Sequence, residues 1–168
     1  MKLKIEGDNK WYGNLVLKFN EIDLNDNNLD ICKLIRKCPQ IKINGFQNRK
    51  ITETSDMIFM ITDRIGKKTI QKQFNVYEKI CLDDSGGCFC YSIFPNCRST
   101  LFELKFVIFH RFSGEDSGHC IAYCKIKGKW HKFSDLKDDY AECADPPLIN
   151  NSEEHYYPVA FCYVKDKK

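Results

Sequence analysis

Alternation of apolar and polar side chains with a period of two dominates the chain. Asn14–Phe19 puts Leu15, Leu17 and Phe19 on one face. Phe102–Phe112 is the most regular such stretch. Phe102, Leu104, Phe106, Ile108, His110 and Phe112 fall on one side, and Glu103, Lys105 and Arg111 on the other. Met57–Ile61 (MIFMI) is unbroken and predicts a buried strand, and Tyr156–Lys165 predicts a closing strand. A single segment, from about Asn28 to Lys37, carries helical period. Leu29, Ile31, Cys32, Leu34 and Ile35 form its stripe, with Asn25 or Asp26 as cap and Pro39 as stop. Lys33, Arg36 and Lys37 suit the negative end of that helix. Weaker signals predict an edge element over Leu3–Trp11, two short strands around Asn44-Gly45, and an extended segment from Gln73 towards Cys81-Leu82. Asp138–Glu154, which contains Pro146-Pro147, reads as an acidic connection. Several antiparallel strands, one helix and no internal repeat predict an α+β arrangement.

Composition narrows this only a little. A 168-residue chain fits one domain, and 43 % hydrophobic content is enough to fill a core. The net charge of +3 is scattered among acids, which argues against a nucleic-acid surface. No apolar run reaches membrane-spanning length, and MKLKIEGDNK lacks the apolar centre of a signal peptide. Ten cysteines without an export signal are expected to stay as thiols, which points to cytoplasm or nucleus.

Chemistry concentrates in Gly114–Asp135, GEDSGHCIAYCKIKGKWHKFSD. Gly114 and Gly118 bracket a polar loop, His119–Lys125 and Lys129–Phe133 are strand-like, and Lys127-Gly128 suits a two-residue hairpin turn. With that turn, Ile126 faces Lys129, His119 faces Leu136, and Ser134 becomes the diagonal same-face neighbour of His119. A turn one residue longer sets His119 opposite Asp135. In both registers an imidazole at one strand start meets a polar or acidic group at the other strand's end. That is the base-plus-orienter half of a nucleophilic triad.

An ordinary hairpin bearing a surface histidine satisfies the same spacing. The joint pattern of Gly118, His119, Ala122, Tyr123, Trp130, Phe133 and Asp135 is more specific, and it resembles the histidine box of the ubiquitin-specific proteases. The apolar strand ending near Arg64, the Lys-rich turn after it, and the strand ending in His110 before the box stand in that family's order. The resemblance runs from about Leu15 to Lys165 and covers the family's C-terminal part only. It implies a papain-like cysteine-protease palm, mainly antiparallel sheet, with the cysteine-bearing thumb absent, so that residues 1–168 form a single partial domain. It implies His119 as general base and Asp135 as orienting acid, with Ser134, where the family places its acid, as the alternative. It further implies substrate contacts at Gly118, Tyr123 and Trp130. Ser134 is the main departure, because a hydroxyl cannot hold an imidazolium as a carboxylate does.

No candidate nucleophile emerges. A catalytic thiolate needs a helix N-terminus and a nearby cation. Cys32 stands near acids on an apolar stripe, Cys38 is at a helix end of the wrong polarity, and Cys120 and Cys124 alternate along the histidine strand as packing residues. The family's finger zinc uses two C-x-x-C pairs. Here Cys81, Cys88, Cys90 and Cys97 have six, one and six residues between them, so free thiols are expected and no metal or other cofactor. Three functions remain open. The first is a deubiquitinase-like pseudoenzyme that recognises ubiquitin or a ubiquitin-like modifier and is catalytically incomplete by itself. The second is the palm piece of an active thiol deubiquitinase completed by a thumb-bearing chain, and the third is a non-catalytic interaction module.

Overall fold

The computed structural model describes residues 3–5, 11–12, 15–17, 19, 25–36, 42–43, 47–48, 51–62, 73–82, 88–90, 100–112, 118–134, 137–142, 145–146, 148 and 156–166. In chain order the strands are β1 (Leu3–Ile5), β2 (Trp11–Tyr12), β3 (Leu15–Leu17), β4 (Lys42–Ile43), β5 (Gln47–Asn48), β6 (Ile51–Thr54), β7 (Met57–Thr62) and β8 (Lys79–Leu82). They continue with β9 (Cys88–Cys90), β10 (Thr100–Phe112), β11 (Gly118–Ile126), β12 (Lys129–Ser134), β13 (Lys137–Glu142) and β14 (Tyr156–Lys165). Helix α1 covers Ile31–Arg36.

Nine strands make the main sheet, in the order β13-β12-β11-β10-β14-β7-β3 with β8 and β9 off that path. β10 to β13 form an antiparallel meander, and β14 returns along the other edge of β10. The described exception to antiparallel pairing within this sheet is β3 against β7. β1, β2 and β6 make a separate three-stranded sheet, and β4 and β5 pair around Asn44-Gly45 as expected. Among the described residues no helix is long and apolar enough to cross a membrane.

The core lies on one face of the main sheet. Leu15, Leu17, Met60, Phe102, Leu104, Val107, Phe109, Phe161 and Tyr163 are each at most 1 % exposed. Four residues of α1, namely Ile31, Cys32, Leu34 and Ile35, are buried with them. Phe74 spans the layer, its ring 5.7 Å from that of Phe19 and 5.8 Å from that of Phe161. Tyr163 is wholly buried yet keeps its hydroxyl satisfied by donating to the Tyr77 carbonyl at 2.6 Å.

Several sequence expectations need correction. The even-numbered face predicted for β10 holds only through Leu104. Lys105 is an extra residue against β14, and after this bulge the buried positions are Val107 and Phe109. A matching bulge at Val159 on β14 restores the register. The helix starts later than expected and is capped by Asp30, whose Oδ1 accepts the Lys33 amide at 2.8 Å. Asp26 instead closes the preceding turn by accepting the Asn28 amide at 2.8 Å. β7 is buried only at alternate positions, Ile58 and Met60, while Met57 is 43 % exposed. The acidic connection contains a real strand, β13, paired to β12.

Candidate functional site

The β11–β12 hairpin takes the two-residue turn. Lys127 and Gly128 have φ of 50° and 82°, the left-handed pair that matches the twist of flanking strands, and Ile126 pairs with Lys129. Pairing then runs regularly to Ile121 opposite Ser134. His119, two residues before Ile121, is therefore the diagonal neighbour of Ser134 on the same face. The two side chains meet: Ser134 Oγ and His119 Nε2 share a hydrogen bond of 3.0 Å. Both residues are half-buried, and His119 Nδ1 is shut off from solvent. Asp135 lies outside the described residues.

The third strand of the site is β10, where Arg111 pairs with His119 and Phe112 with Gly118. Because Lys105 shifts the alternation, Arg111 lies on the face of Val107 and Phe109, which is also the face of His119 and Ile121. It is exposed where those residues run out towards solvent. His110 lies on the opposite face and its ring packs on Gly118. A Cβ at Gly118 would collide with that ring and with the Arg111 carbonyl oxygen, so the close approach of β10 and β11 demands glycine there.

The structure separates the remaining residues that the sequence linked to binding. Gly118 is exposed beside His119, whereas Tyr123 and Trp130 are 6 % and 3 % exposed. Tyr123 packs edge-on against Phe109 with ring centres 5.8 Å apart. Trp130 sits near the turn end of the hairpin, where its indole N–H donates to Glu78 at 3.1 Å and Lys125 lies 5.4 Å over its ring. Both hold the strands that present His119 and Ser134.

Lys125 also reaches Glu103 at 3.0 Å and Glu78 at 3.5 Å, and Lys105 completes the group on Glu103. Burial works against charge here, raising a carboxyl pKa and lowering an ammonium one. The pairing outweighs it: Glu103 is held below the ordinary carboxylate range, by Lys105 and Lys125, and Lys125 is held above its ordinary value, by Glu103 and Glu78. This network was not expected from the sequence, since its four members come from β10, β11 and the residue before β8. Arg111 was likewise missed. Counting back across the Ser113–Ser117 loop pairs it with His119, but the bulge at Lys105 hides which face it takes.

Cys32, Cys81, Cys120, Cys124 and Cys162 do not supply a thiolate beside His119. Cys120, Cys124 and Cys162 point to the sheet face opposite His119, although Cys120 follows His119 directly. Burial pushes the Cys124 and Cys162 thiols up, the reverse of activation. Cys32 is buried within α1 at 3 % exposure and Cys81 at 1 %. Among the described residues no group of three or more His, Cys, Asp or Glu side chains is arranged to hold a metal.

The fold is similar to part of several solved ubiquitin-hydrolase structures of papain-like fold. The SAGA Ubp8/Sgf11/Sus1/Sgf73 deubiquitinase module superposes with a TM-score of 0.63 at 12 % identity, over 99 % of this chain and 37 % of that one. The same module bound to ubiquitin aldehyde gives 0.63 at 13 %, over 99 % and 40 %. The apo Pan2 pseudoubiquitin hydrolase–RNA exonuclease module of Saccharomyces cerevisiae gives 0.65 at 11 %, over 98 % and 32 %. The chain thus spans well under half the length of each of these neighbours, and the likeness is one of fold. No protein-family model matches the sequence, and no curated protein sequence does.

Proposed function

We propose that the chain is a ubiquitin-hydrolase-like palm that recognises ubiquitin or a ubiquitin-like modifier, and that the 168-residue polypeptide by itself does not cleave an isopeptide. The observation that carries this reading is the 3.0 Å contact of Ser134 with His119 Nε2, in a fold shared with a module that binds ubiquitin aldehyde. His119 is the remnant of the general base, with Ser134 as its orienting partner and Asp135 as the alternative. Gly118 borders the ligand surface beside His119, and Tyr123 and Trp130 support that surface by holding its strands. A hydroxyl is a weak orienter. It can donate or accept, so it does not fix one imidazole tautomer, and it lends no charge to a developing imidazolium. None of Cys32, Cys81, Cys120, Cys124 and Cys162 lies where a thiolate is activated, which supports recognition without hydrolysis.

Titration of isotopically labelled ubiquitin with the chain tests this. Shifts centred on the C-terminal tail are expected, and no turnover of a ubiquitin–fluorophore amide. The absence of any shift at high excess would remove ubiquitin as the ligand. Cleavage abolished by a thiol reagent and by His119→Ala would remove the pseudoenzyme reading.

A second reading is favoured by the fraction of its neighbours that the chain spans, 32–40 %. In it, a thumb-bearing chain completes an active thiol deubiquitinase and His119 accepts the thiol proton. Mixing with such a chain then produces a cleavage rate that His119→Ala eliminates.

A further inference from the structure

We infer that the sheet face opposite His119 docks an acidic amphipathic helix of a partner chain, seated on rows of apolar side chains and held at one end by Lys127 and Lys129. This surface is separate from the one around His119, so the inference stands apart from the reading of ubiquitin as ligand.

The strand sequences call for cover on both faces. A strand buried on one side alternates apolar and polar residues, whereas one buried on both is apolar throughout. Met57–Ile61, Phe106–Phe109 and Pro158–Val164 are apolar or aromatic throughout. Yet the core and α1 lie on one face of these strands only. On the other face, Phe59, Cys162, Phe106 and Cys124 pair in one unbroken row across β7, β14, β10 and β11. The next row, from Ile61 through Ala160 and Ile108 to Ala122, is apolar as well. Phe59, Ile61, Phe106 and Ile108 are half-buried and stand as ridges on β7 and β10. The small Cys162 and Ala160 floor a shallow channel between them. Sheet faces are covered by helices or by a second sheet. This relief spans three strand spacings, or roughly 14 Å, which accommodates one helix with its side chains.

Charge selects the occupant. Met57 and Ile126, 43 % and 46 % exposed, lie on this face at the same end of the rows. Lys129 is the direct cross-strand partner of Ile126, Lys127 follows Ile126 in the turn, and both lysines are exposed. Neither has an acid partner among the described residues; Glu78 and Glu103 are engaged by Lys125 and Lys105. Lys127 also occupies a left-handed turn position, at φ 50°, that asparagine or glycine fills at lower cost. The cation therefore stands at the tip against the backbone preference. Glutamates or aspartates flanking the apolar stripe of a partner helix complete these two charges. A second copy of this chain would bring the same lysines instead. A bilayer would meet Met57 and Ile126 alone, since the rows behind them are half-buried.

The test uses a fluorescein-labelled amphipathic peptide about five helical turns long, with a leucine stripe flanked by glutamates. A second peptide carries lysine for every glutamate, and a third carries the first one's residues in scrambled order. Anisotropy titrations against the full chain should show the glutamate peptide binding about tenfold more tightly than the lysine peptide, as two exposed charge pairs allow. The scrambled peptide should not bind. Amide shifts should centre on β7, β10 and the β11–β12 tip and leave the His119 ring unmoved. Ile126→Thr and Met57→Thr alter exposed side chains and should each weaken binding about threefold. Lys127→Asn should weaken it by about the same factor while the thermal midpoint holds or rises, which parts binding from folding. Equal binding of the three peptides, binding of none, or shifts confined to the His119 face overturns the inference. Binding of phosphatidylserine vesicles without the glutamate peptide also overturns it and assigns the face to an anionic lipid surface. Self-association in sedimentation that Ile126→Thr abolishes overturns it in favour of a second copy.

None of these outcomes bears on the ubiquitin titration, so the two readings fail separately.

Discussion

The two ends of the β11–β12 hairpin are held by different physics. At the turn end, Trp130 is buried under Lys125, and Lys125 joins Glu78, Glu103 and Lys105 in a charged network across β10, β11 and the entry to β8. At the open end the hydrogen bond between Ser134 and His119 links the two strands through side chains. β10 explains the division. Its one edge is shared end to end, by β8 at Thr100–Glu103 and by β11 at Phe106–Phe112. The network sits at the junction, where two strands must be pinned to one edge. The histidine sits at the far end, where the sheet face runs out into solvent and a ligand can approach. A buried aromatic and a charged network hold one end, and a neutral hydrogen bond joins the strands at the other.

The largest test of that contrast is Trp130→Ala. It removes a side chain that is 3 % exposed, the donor to Glu78 and the surface beneath Lys125. A loss of about 3–5 kcal/mol in unfolding free energy is expected, as for other buried aromatic truncations. Chemical denaturation followed by circular dichroism measures it. A cost below about 1 kcal/mol would show that the turn end is not the anchor.

Lys125→Met follows, at about 1–3 kcal/mol, because it strips partners from two carboxylates while keeping most of the aliphatic stem. It carries a pH signature. Glu103 has a folded pKa below its ordinary value of 4.5, so its contribution is present above that value and is lost as pH falls through the lower folded one. Lys125 has a folded pKa above its ordinary 10.5, so its contribution is complete below 10.5 and is lost as pH rises beyond it. The variant should therefore lose stability at pH 7 and have a shallower decline than the parent below pH 4.5. Melting curves that shift equally at pH 7 and pH 3 would dissolve the assignment.

What could be read from the sequence follows the same division. The hairpin was legible because Lys127-Gly128 fixes a turn length, and turn length fixes register. His119 and Ser134 could be matched from that alone. The charged network was not legible, because Glu78 and Lys125 are 47 positions apart along the chain and no local pattern relates them. β10 was half legible. Its alternation is real on each side of Lys105, but a bulge leaves no mark in a binary pattern when Phe106 and Val107 are both apolar. That one extra residue decides whether the Arg111–His119 pair shares the face of Phe102 and Leu104 or takes the opposite one. Burial was legible for Leu15, Leu17 and Phe19, where a single uninterrupted alternation faces the core.

The smallest effect on stability, and the sharpest on the open end, belongs to Ser134. Ser134→Ala deletes one half-exposed neutral hydrogen bond and should cost about 1 kcal/mol or less. Ser134→Asp keeps the length of the contact and adds a charge. A carboxylate within hydrogen-bonding reach of an imidazole strengthens the contact. The aspartate variant should therefore show a coupling with His119→Ala that the parent serine shows only weakly, measured as a double-mutant cycle in chemical denaturation. Asp135 is the rival orienter. If it serves His119, then Asp135→Asn is coupled to His119→Ala in the parent and Ser134→Asp adds little. If Ser134 serves alone, Asp135→Asn shows no such coupling and the aspartate variant does. The pair of cycles thus assigns the orienting role at the open end to one residue or the other.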